Sequence, residues 1–97
     1  MFHMKVRVEF VGIFRELTGC SEMVLDVPAG STVYDLISSL AEKYGRRLEE
    51  RTLAREGGRL HEELSVLLNG RIIPTDEAPS VALRAKDAVV LMQEVII

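Results

Sequence analysis

One stretch of the sequence has helical periodicity strong enough to organise everything around it. Between Thr32 and Gly45, the residues Val33, Leu36, Ile37, Leu40, Ala41 and Tyr44 recur at helical spacing, which gathers them into one apolar stripe. Pro28-Ala29-Gly30 stops the segment before it. Thr32 followed by Asp35 reads as a capping pair, with a hydroxyl meeting the first free amides and an acid in the first turn. Gly45 stands where a left-handed residue closes a helix. A helix with a single apolar stripe needs a second layer to cover it, and the rest of the chain reads mostly as strands.

Met4, Val6, Val8 and Phe10 alternate with Lys5, Arg7 and Glu9, the period of a half-buried strand. Met23, Leu25 and Val27 alternate with Glu22, Val24 and Asp26 and give a second strand. Gly12 to Gly19 is expected to be the turn of a longer-than-minimal antiparallel hairpin. Arg46 to Arg59 is charged and weakly periodic; it is expected to be a surface insertion with some helix, anchored by Leu48 and Leu53, with Gly57-Gly58 a turn. Leu64 to Leu68 is a short apolar strand. Asn69-Gly70 suits a type I′ hairpin, and Arg71-Ile72-Ile73 before Pro74 suits an edge strand. Ala88 to Val95 is apolar on nearly every position, as a strand in the middle of a sheet would be. For this last strand to lie beside the first, in parallel, the connection must cross over through the helix layer. The expected architecture is α+β: a mixed four- to five-stranded sheet with one main helix across it, the ubiquitin-like β-grasp plan, as a single domain over residues 1–97.

Several segments together resemble the MoaD/ThiS family of sulfur carriers over nearly the whole chain. Met4-Lys5-Val6-Arg7-Val8-Glu9-Phe10 looks like the family's first strand. Phe14-Arg15-Glu16-Leu17-Thr18-Gly19 is similar to its "REL-x-G" turn. Val27-Pro28-Ala29-Gly30-Ser31-Thr32-Val33 with Asp35-Leu36 is similar to the lead-in to its helix, and Val66-Leu67-Leu68-Asn69-Gly70 to its "V-x-V-N-G" hairpin. Asp87-Ala88-Val89 looks like the start of its last strand. The length of the helical region is closer to the MoaD branch than to ThiS.

The resemblance implies a carried reagent rather than an enzyme, needing no cofactor. In the family, an E1-like ATP-dependent enzyme adenylates the last glycine and a sulfur donor converts it to a thiocarboxylate. In the MoaD branch the tail then delivers sulfur inside the large subunit of molybdopterin synthase. The expected function is therefore a MoaD-like protein of molybdenum cofactor biosynthesis, with the adenylating enzyme and the synthase large subunit as partners. By the same resemblance Val11, Ile72 and Met92 stand where the family presents apolar residues to partners, and Arg15 faces an acidic partner surface. For the first three, ordinary core or scattered surface packing is an equal reading; for Arg15, bonding to loop carbonyls or in the neighbourhood of Glu16 is the favoured one.

The tail departs from the family's "F-P-P-V-x-G-G": here it reads Met92-Gln93-Glu94-Val95-Ile96-Ile97. Glycine lets a backbone thread a narrow channel, whereas a β-branched residue stiffens and widens it. Three readings stay open: a paralogue that kept the fold and lost the carrier chemistry, a sequence cut short of a Gly-Gly, and a terminus activated regardless. The first is favoured because Gln93-Glu94 also replaces the prolines. Val95, Ile96 and Ile97 are then a degenerate carrier terminus, expected to pack against the domain or a second subunit. The alternative function is an interaction module or homo-oligomer with no sulfur-transfer role, or a ThiS-like carrier of thiamine synthesis. The turn Leu83-Arg84-Ala85-Lys86-Asp87 also lacks the glycine the family usually has there.

Composition narrows the classes further. Of 97 residues 47% are hydrophobic, enough for a core without metal or disulfide staples. A lone Cys20 fits a reducing, cytoplasmic compartment, and no neighbouring basic cluster marks it as reactive. His3, His61 and Cys20 lack metal-ligand spacing. Net charge is −3 with scattered basic residues, so no nucleic-acid footprint is expected. Nothing approaches the roughly 18 consecutive apolar residues of a membrane span. Glu49-Glu50 and Glu62-Glu63 read as solvated faces.

Overall fold

The computed structural model describes residues 2–93. The elements run β1 (His3–Phe10), α1 (Ile13–Thr18), β2 (Glu22–Pro28), α2 (Val33–Tyr44), α3 (Arg46–Thr52), β3 (Leu64–Leu68), β4 (Arg71–Ile73), a 3-10 turn (Ala78–Ser80) and β5 (Ala88–Gln93). They form one five-stranded mixed sheet in the order β2-β1-β5-β3-β4, the α+β, ubiquitin-like β-grasp arrangement.

Alternation in the sequence becomes alternation in burial. On β1, Val6, Val8 and Phe10 are buried while Lys5, Arg7 and Glu9 are exposed. The hairpin partner β2 pairs antiparallel, with Val6 opposite Leu25 and Val8 opposite Met23. The last strand lies between β1 and β3, parallel to the first (Val8 opposite Val89) and antiparallel to the second (Val66 opposite Leu91). Its central place accounts for its apolar residues on both faces. β4 is an edge, as Pro74 anticipated. Asn69 and Gly70 both take positive φ, 52° and 85°, as a type I′ turn requires.

The stripe of α2 completes the core. Val33, Leu36, Ile37 and Leu40 are fully buried in one cluster with Val6, Val8, Phe10, Val66 and Leu91. Its start is a full capping box: Thr32 Oγ1 accepts from Asp35 N–H at 3.1 Å, and Asp35 Oδ2 accepts from Thr32 N–H at 2.9 Å.

Three segments differ from the sequence expectation. Gly12 to Gly19 contains a helix, α1, rather than an open turn. Phe14 drives it by burying its ring at 1% exposure, and Gly19 closes it in the left-handed region, its N–H donating to Arg15 C=O. Gly45 is not left-handed in the α sense: at φ 90°, ψ −169° it ends α2 and starts α3. Arg46 to Arg59 holds the expected helix, with Leu48 buried as an anchor, but it is more than a surface insertion because Thr52 is buried too, while Leu53 is only half-buried. Charge dominates the composition of this stretch and hides that inner face. Thr52 is satisfied there by donating to Leu48 C=O at 2.8 Å. The expected strand to Val95 is described as far as Gln93; the readings of Val95, Ile96 and Ile97 lie outside the described residues.

Candidate functional site

One side of the sheet carries α2, and the other is open. Register places the open-side residues in rows across the strands. One row runs Ile72 (β4), Leu67 (β3), Val90 (β5), Glu9 (β1), Glu22 (β2). Its first three members form an apolar strip in which Ile72 is 68% exposed and Leu67 and Val90 are half-buried. Met92 lies two residues beyond Val90 on the same side, opposite Ser65. The next row toward the start of β1 holds Val24, Arg7 and Ala88, and beyond it Lys5 faces Asp26 across the strands, 3.3 Å apart.

Of the sequence-predicted residues, the structure brings Ile72 and Met92 to this side. Val11 sits at its margin, half-buried, its N–H donating to Leu91 C=O at 3.0 Å. Arg15 lies elsewhere, exposed on α1 beside a shallow hollow lined with Gly12, Ile13 and Glu16. Its side chain bonds no loop carbonyl among the described residues and lies in the neighbourhood of Glu16. Leu67 and Val90 were missed as surface residues. Their signal was present in parity: each alternates with residues buried under α2, so each must face the other way.

Two further clusters are local. Cys20 Sγ donates to Thr18 Oγ1 at 3.8 Å, and Tyr44 Oη meets Met23 Sδ at 3.5 Å. Burial, with Cys20 nearby, pushes the Tyr44 hydroxyl above its usual range. A cavity lined by Phe14, Glu50, Arg51, His61, Glu63 and Gln93 lies near the end of β5, where His61 Nδ1 accepts from Glu63 N–H at 3.0 Å. Among the described residues no group of three His, Cys, Asp or Glu could hold a metal. No described helix is long and apolar enough to cross a membrane.

The open face therefore offers contact area rather than reacting groups. Each large apolar side chain covered by a partner would contribute about 1.5–3 kcal/mol when fully buried, and less for those already half-covered.

Comparison with known proteins places this geometry. No curated protein sequence matches the chain. Among solved structures, the Haloferax volcanii HVO 2177 protein superposes with a TM-score of 0.82 at 28% identity, over 97% of this chain and 86% of that one. SAMP1 from Haloferax volcanii gives 0.78 at 25% identity, over 94% and 96%. A Pyrococcus furiosus protein assigned as molybdopterin converting factor, subunit 1, gives 0.72 at 26% identity, over 95% and 99%. The sequence model of the ThiS family matches residues 8–95, and the chain belongs to that family of ubiquitin-like sulfur-carrier-type proteins.

Proposed function

We propose that this chain, as one domain over residues 1–97, is a MoaD-like carrier-family protein that docks through its open sheet face. Its partners are an E1-like adenylating enzyme and the large subunit of a molybdopterin synthase, and it acts by docking to them, not as an enzyme, in the cytoplasm. The observation that carries the reading is the apolar strip Ile72–Leu67–Val90 with Met92, contiguous across three strands. Strips of this kind on otherwise charged surfaces mark binding faces. The strip also lies on β5, the last described strand, so a partner seated there lies close to Gln93 at the end of the described chain. Family membership and the likeness to the Pyrococcus protein support the molybdopterin branch.

The test mixes the chain with an E1-like adenylating enzyme, ATP and sulfide, and reads complex formation and mass separately. A complex with a mass gain of oxygen-to-sulfur exchange assigns an active carrier. A complex without it assigns a docking protein that carries no sulfur. Absence of a complex with E1-like enzyme and synthase large subunit alike refutes the proposal.

A further inference from the structure

The open face is electrically divided, although the chain as a whole carries a net charge of −3. At the end where β1 begins, Lys5, Arg7 and Lys86 surround a shallow concavity of about 360 Å³ whose floor is Val24 and Ala88. At the other end of the same side stand Glu9 and Glu22, opposite each other in register. Asp26 holds Lys5 at 3.3 Å, while Arg7 and Lys86 have no ion-pair partner among the described residues. The Asp87 carboxylate is engaged within its own loop and the neighbouring turn, accepting from Asn69 Nδ2 at 3.0 Å and from Arg84 N–H at 2.8 Å.

Lys86 is an independent marker of this end. Its backbone sits at φ 71°, a region in which a side chain is disfavoured and glycine is at ease. Its N–H donates to Lys5 C=O at 2.9 Å, which stitches the loop against β1 and places a third cation beside the other two. Strain held in this way is concentrated at sites of use.

We infer that this cradle receives an acidic, extended segment of a protein partner, with carboxylates over Arg7 and Lys86 and an apolar side chain against Val24 and Ala88. Arg7 and Lys86 are the two cations of the cradle without an ion-pair partner among the described residues, so they are the ones free to meet a partner's carboxylates. The floor continues along β5 from Ala88 to Val90 and the apolar strip, so one partner spans both. Glu9 and Glu22 repel its acidic portion and so set its orientation. The inference rests on reading the open face as a docking surface, and it adds which chemistry meets which end.

The test titrates the isotope-labelled full chain with a blocked peptide of alternating glutamate and leucine and follows amide shifts by NMR. The same peptide with glutamine for glutamate, and inorganic phosphate, are run beside it. The glutamate peptide is expected to shift Lys5, Arg7, Val24 and Ala88, and to weaken about fivefold between about 50 and 300 mM salt as screening shortens. Arg7→Gln and Lys86→Gly, each still melting cooperatively, are expected to weaken it threefold or more. Equal shifts with the glutamine peptide or with phosphate alone, or no shifts at these residues, overturn the inference. A chain that binds the E1-like enzyme but ignores the peptide refutes only this inference. Peptide binding without any enzyme complex refutes only the docking proposal.

Discussion

Replacing Lys86 by glycine is expected to stabilise the protein, against the usual direction of single substitutions. Three backbone hydrogen bonds hold the loop: Lys86 N–H to Lys5 C=O at 2.9 Å, Asp87 N–H to Arg84 C=O at 3.2 Å and Arg7 N–H to Asp87 C=O at 2.9 Å. None uses the Lys86 side chain. A left-handed L-residue costs roughly 1–2 kcal/mol, which glycine removes. Glycine also gains freedom in the unfolded chain, giving back roughly 0.4–1 kcal/mol. The difference leaves a gain of about 0.5–1 kcal/mol. For a domain of this size that is a rise in Tm of about 2–8 °C. Thermal melts followed by circular dichroism, with urea curves showing a higher midpoint at unchanged slope, measure it. Lys86→Ala is the control, since it removes the cation but keeps the Cβ and with it the backbone penalty. A melting point for Lys86→Gly at or below the parent's, or an equal gain for Lys86→Ala, refutes the reasoning. If both this and the acidic-segment inference hold, one substitution raises stability and lowers binding.

Four other outcomes follow from the packing. Thr32→Ala removes the acceptor for Asp35 N–H and is expected to lower stability by about 1 kcal/mol in denaturant curves. Leu36→Ala, at a fully buried site under the sheet, is expected to cost about 2–5 kcal/mol, and a loss below about 1 kcal/mol would contradict the core placement. Ile72→Lys, on the exposed edge strand, is expected to leave Tm within a few degrees yet abolish pull-down by the E1-like enzyme. Alkali should weaken the fold through Tyr44, whose ionisation the folded state resists. Above about pH 10 the unfolded chain loses this proton while the folded one keeps it, so stability falls as pH rises, and Tyr44→Phe should flatten that part of the melting profile.

What could be read without coordinates is what depends on neighbours in sequence. The helix from Val33 to Tyr44, its Thr32–Asp35 cap and the Asn69-Gly70 turn are set by contacts within a few residues, and strand parity follows from the pleat. The central place of the last strand was legible too, from the apolar run that begins at Ala88. The short helix at Ile13–Thr18 was not: two flanking glycines look like a loop until Phe14 is seen to reach the core. Of the inner face of α3 only Leu48 was named; Thr52 beside it is a polar residue among charges, and nothing local says that it faces inward. The candidate site was half visible. Ile72 and Met92 were named, but Leu67 and Val90 join them only because β3 and β5 pair in one register. The convergence of Lys5, Arg7 and Lys86 brings together residues from opposite ends of the chain. Periodicity reports which side of its own strand a residue faces; which residues from other strands stand beside it is decided by register, and register exists only once the sheet has formed.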